Sequence, residues 1–88
     1  MYAHMTRRRF TSRQAAAVAA VLHVDFDAVG FQLEDLRLGM EVELEHGARN
    51  PLTNVTNDDP VLTGKLALAH LMGCPDYYVH LAMAGHGV

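Results

Sequence analysis

The chain has 88 residues, half of them apolar, with one cysteine and no tryptophan. That length gives a single domain, the lone Cys74 rules out an internal disulfide framework or a multi-cysteine zinc site, and no run reaches the roughly 18 apolar residues that a membrane helix needs. Residues 1–13 hold four of the seven cations and no acid, whereas the rest sets three cations against all ten acids, so a basic arm leads into an acidic body.

Residues 1–10 read as a flexible arm, with Arg7, Arg8 and Arg9 able to contact an anionic surface or simply solvated. The acidic body argues against nucleic acid as the main partner. The apolar stretch that follows, Ala15 to Val24, is broken by His23 and lacks a small-residue cleavage site. It is therefore not a signal peptide, and the cytoplasm is the default location.

The folded domain is expected over residues 11–84. Thr11, with Gln14 three residues on, forms a capping-box pattern that opens a first helix to about Leu22. Val18, Val21 and Leu22 give it an apolar stripe. His23 to Gly30 is a connector with at most one helical turn, planting Phe26 and Phe31 in the core. Leu33, Leu36, Met40 and Leu44 recur at helical spacing and define the second helix. Glu34 and Asp35 suit its first turn, and Gly47 is expected to end it as a C′ glycine. Gly39 in mid-helix costs about 1 kcal/mol relative to alanine, which implies a close approach by another backbone.

Asn50 to Asp59 is a polar loop whose side chains bond their own backbone. Asp59-Pro60 then provides the N-cap and first residue of a third helix, running to Met72 and stopped by Gly73. Val61, Leu62, Leu66, Leu68, Leu71 and Met72 make that helix apolar nearly all round, so it is expected to be buried by neighbours or by a second subunit. Pro75 opens a fourth helix to about Ala84, and residues 85–88 form a tail. The fold class is thus all-α, a compact bundle of about four short helices completed by oligomerisation.

Glu43 and His46 form a Glu-x-x-His pair on one helix face, the arrangement that di-metal carboxylate bundles use. His70 would supply a third ligand and Asp59 or Asp58 a fourth, a donor set that suits zinc or iron. The alternative is structural. His46 and His70 both stand in last turns, where histidines cap carbonyls and meet a favourable dipole. Glu43, His46, Asp58, Asp59, Thr63, Lys65 and His70 would then form a polar network that fixes loops and helix ends, with no cofactor. Leu38 and Val42 lie opposite the core stripe of the second helix. With Leu68, Leu71 and Met72 they are the expected interface of a homodimer. Cys74 at a helix start has no evident base, and Thr63-Gly64-Lys65 lacks the upstream glycine of a phosphate loop.

The strings G-M-E-V-E-L-E-H-G at Gly39–Gly47, T-N-V-T-N-D-D-P at Thr53–Pro60, T-G-K-L-A-L-A-H-L at Thr63–Leu71 and P-D-Y-Y at Pro75–Tyr78 carry a resemblance. In combination, the segment from Phe31 to Leu81 resembles a widespread family of short bacterial and phage proteins classed as a domain of unknown function. The resemblance implies a compact helical protein and brings no activity with it. Members often continue the third helix as A-H-L-x-E, and here that last position is Gly73. A glutamate ligand beside His70 would therefore be missing, which lowers the metal reading. The end of the fourth helix, usually acidic, is here L-A-M-A-G-H-G, so the C-terminal contact is expected to differ as well. The sequence thus points to a non-enzymatic, self-associating interaction or accessory module, with a zinc or iron protein as the alternative.

Overall fold

A computed structural model describes residues 10–49, 52, 54 and 59–83, the last two by backbone alone. The described part is helical: α1 (Ser12–Val21), α2 (Leu33–Arg49), α3 (Pro60–Gly73) and α4 (Tyr77–Met83). The arm up to residue 9, the tail at 85–88 and Asp58 lie outside the described residues. No described helix is long and apolar enough to cross a membrane.

Local chemistry sets the helix ends. The Thr11 hydroxyl accepts the Gln14 amide at 3.0 Å while Gln14 accepts the Thr11 amide at 2.8 Å, a reciprocal box that satisfies two orphan donors. α1 closes on His23 at φ 58°, with Val24 N–H reaching back to Ala19 O and His23 N–H to Ala20 O. That pattern is a Schellman closure built on a residue other than glycine. At α3 the Asp59 carboxylate takes the Val61 and Leu62 amides at 2.9 and 3.0 Å, and Pro60 occupies the first turn, where its missing N–H costs nothing. Thr63, wholly buried, donates its hydroxyl to the Asp59 carbonyl at 2.7 Å.

Two expectations need correction. Gly47 does not end α2, which continues to Arg49. A single glycine costs a helix only about 1 kcal/mol, and Arg49 in the last turn favours the dipole. Gly39 is a point of close approach, but a side chain comes near it and not a backbone. A Cβ there would stand 2.5 Å from the Tyr78 ring and 3.0 Å from the Ala67 methyl. Within one chain, α3 is covered on one side only. Thr63, Gly64, Ala67 and Leu71 face inward, whereas Leu62 is 44% and Met72 64% exposed.

The hub of the bundle is α2, which packs against each of the other three helices and most extensively against α3. From Leu36 to Leu44 all its residues except Leu38 are buried, including Arg37, Glu41 and Glu43. Leu36 and Met40 are fully enclosed, each contributing about 2–3 kcal/mol by apolar burial. Gly64 on α3 lets α1 come close, since a Cβ there would collide with Val18. Phe31 and Phe26 meet edge to face at 6.1 Å where the connector joins the core. Phe10 also belongs to that core, at 6% exposure, although the sequence places it at the end of the arm.

Candidate functional site

Three helices each bring one side chain to a single polar cluster: Glu43 from α2, His70 from α3 and Tyr78 from α4. The Tyr78 hydroxyl donates to Glu43 Oε2 at 2.6 Å. His70 Nδ1 lies 3.0 Å from the same oxygen and 3.1 Å from the Tyr78 hydroxyl. A carboxylate only accepts, so the proton on the imidazole is assigned to Nδ1 and the lone pair to Nε2. Tyr77 stacks on the imidazole at 4.4 Å and 13°, and Tyr78 stands perpendicular to Tyr77 at 4.9 Å and 88°. Glu43 is thereby held by two neighbours at one edge of His70, and Tyr77 covers one imidazole face.

The sequence produces this convergence through spacing. Gly39 and Glu43 are one turn apart on the same face of α2. The glycine leaves room for the Tyr78 ring, and the glutamate accepts its hydroxyl. The short turn Cys74–Asp76 folds α4 back so that Tyr77 and Tyr78 both return to His70. The Glu43 side chain is only 6% exposed. A carboxylate at that depth is costly to desolvate unless hydrogen bonds replace water, which these two donors do. The His70 side chain remains 36% exposed, and its Nε2 makes no hydrogen bond among the described residues. Chemically, Nε2 is one oriented lone pair at the surface.

The remaining candidates separate. His46 is exposed and takes no part in the cluster. Lys65 is also exposed and makes no ion pair among the described residues. Asp59 and Thr63 form a separate contact that caps α3. Asp58 falls outside the described residues. Among those residues no three His, Cys, Asp or Glu side chains converge as a metal ligand set requires. Of the expected interface positions, Val42 and Leu71 lie inside the core of one chain at 0% and 1% exposure. Leu38 and Leu68 are partly buried against that core, and Met72 alone is openly exposed.

Two features escaped the sequence reading. Tyr78 was not singled out as a polar partner, because Glu43 is 35 residues away. Arg37 and Glu41 form a buried pair at 3.2 Å, with Arg37 also held by Glu34 at 2.9 Å. Their signal was present, as an arginine flanked by glutamates three before and four after it on one helix face.

No curated protein and no solved structure matches the chain. A family model does, over residues 15–85, which span all four helices except the first three residues of α1. The chain therefore belongs to the family described as "Protein of unknown function (DUF5661)".

Proposed function

We propose that this protein is a non-enzymatic interaction module that self-associates through the outer face of α3. The observation that carries the reading is the stripe Leu62, Lys65, Ala69 and Met72. It follows helical spacing along one exposed side of the most apolar helix. Isolated exposed apolar residues are ordinary, but Leu62, Ala69 and Met72 align on one side of the helix, with Lys65 as the one charge among them, and such an alignment marks a contact surface. Ala69 near its middle allows close approach, with larger side chains at either end. In a two-fold antiparallel pairing, Leu62 of one copy would face Met72 of the other. The Glu43–His70–Tyr78 cluster would then serve to lock α3 and α4 onto α2 and hold that face in shape.

Light scattering on the full chain tests this reading. The expected mass is roughly twice the 9.7 kDa of one chain, falling to one chain in the doubly substituted Leu62→Lys, Met72→Lys protein. A wild-type protein that stays at one chain mass at every concentration would exclude it. A second reading is zinc or iron chemistry, supported by the orientation of His70. A carboxylate on Nδ1 is the usual support of a metal-binding imidazole. Elemental analysis of untagged protein decides that reading, with stoichiometric metal that disappears in His70→Ala as the supporting result.

A further inference from the structure

Away from the Glu43 cluster, α2 carries a second set of buried charges, Arg37 and Glu41, which bond the segment that leads into α1. Arg37 and Glu41 are 10% and 4% exposed at their side chains. Both bond the main chain of Phe10: its N–H donates to Glu41 Oε2 at 3.1 Å, and its carbonyl accepts from Arg37 Nη1 at 3.4 Å. Two residues on, the Ser12 hydroxyl donates to Glu34 Oε1 at 2.9 Å. Glu34 in turn grips Arg37 Nε with both carboxylate oxygens, at 2.9 and 3.0 Å. Glu34, Arg37 and Glu41 are spaced i, i+3 and i+7, so one face of α2 holds Phe10 and Ser12 while the Phe10 ring enters the core.

This arrangement has the chemistry of peptide recognition. A buried arginine–glutamate pair is a poor stabiliser in its own right, because desolvation offsets most of its attraction. It becomes specific when it supplies a donor and an acceptor to another segment's backbone beside a pocket for that segment's side chain. The family segment begins at residue 15. Glu34, Arg37 and Glu41 lie inside that segment, and the residues they hold, 10–12, lie outside it.

We propose that Glu34, Arg37 and Glu41 form a peptide-binding site on α2, and that the residues around Phe10 are its resident and exchangeable ligand. The ligand class is a short basic segment with a phenylalanine just before a helix N-cap, and the occupant is this chain's own N-terminal segment. Charge agrees with that choice. Arg7, Arg8 and Arg9 immediately precede Phe10, and the body carries all ten acids.

The test uses the full chain with Phe10→Ala and a fluorescein-labelled synthetic peptide of residues 6–12, Thr-Arg-Arg-Arg-Phe-Thr-Ser. Fluorescence anisotropy is expected to show this peptide binding the variant at least about tenfold more tightly than a control peptide with alanine for phenylalanine. Wild-type protein, with the site already filled, is expected to bind the labelled peptide at least about tenfold more weakly than the variant does. Adding Arg37→Met and Glu41→Met together, which removes both charges at similar volume and with them the donor and acceptor for the main chain of residue 10, should weaken binding of the phenylalanine peptide at least about tenfold. Equal binding of the two peptides, or binding that is unchanged by loss of both charges, overturns the proposal. Should Phe10→Ala unfold the chain, circular dichroism provides the readout. The phenylalanine peptide must then restore helical signal where the alanine peptide does not, and failure to restore it also overturns the proposal.

Discussion

α2 and α3 reverse the usual correspondence between composition and burial. α2 carries seven charged residues, three of them buried, and sits at the centre of the bundle. α3 has one charged residue, Lys65, and leaves a stripe from Leu62 to Met72 open to solvent. The difference follows from neighbours. Both helices pack against all three others, but those neighbours enclose α2 from Leu36 to Leu44 and leave one side of α3 uncovered. The charges of α2 are tolerable there because Arg37, Glu41 and Glu43 each find hydrogen-bonding partners. A helix covered on one side keeps its other side exposed however apolar that side is. Position in the bundle thus decides burial, and composition decides what burial costs or what exposure invites.

The largest test of that contrast is Arg37→Met. It leaves Glu41 buried without its guanidinium partner and is expected to lower stability by about 3–5 kcal/mol in urea titrations. Adding Glu41→Met should recover most of the loss, since the pair as a whole contributes little. Next comes Gly39→Ala, which forces a methyl against Tyr78 and Ala67. Overpacking of this kind is expected to cost about 1–3 kcal/mol by the same titration. Tyr78→Phe deletes one donor to Glu43 while keeping the ring, and about 1–2 kcal/mol should be lost in thermal unfolding. The smallest effect has the opposite sign. A Cβ at Gly73, the last residue of α3, meets nothing within 4 Å. Gly73→Ala should therefore raise stability by about 0.5–1 kcal/mol through helix propensity. A loss at Gly73, or no loss at Gly39, would break the comparison between the two helices.

Local signals in the sequence were sufficient for the elements. The Thr11–Gln14 box, the Asp59-Pro60 start and the Leu36–Met40–Leu44 stripe each act within one or two turns, and each is present in the structure. Gly47 misled because a single glycine can be carried by a helix whose neighbours already fix it. The site was only half legible. Glu43 and His70 stood out as polar residues near apolar faces, yet the sequence paired Glu43 with His46, three residues on in the same helix, and His46 takes no part in the cluster. The true third member, Tyr78, reaches Glu43 across 35 residues. Nothing in its local sequence encodes that contact except the glycine at position 39 that admits its ring. Which side of α3 the chain itself covers was not legible for a related reason. Its apolar circumference says that it can be enclosed, and only the bundle's topology says which side is.

Native-state hydrogen exchange on the full chain, followed residue by residue over a range of protein concentrations, tests the α2–α3 contrast most directly. The account predicts that amides from Leu36 to Leu44 exchange last, through global unfolding, at every concentration. It also predicts that amides at Leu62, Lys65, Ala69 and Met72 gain protection as concentration rises and the outer face of α3 becomes covered. Exchange in α2 that precedes exchange in α3, or protection of α3 that ignores concentration, would contradict it.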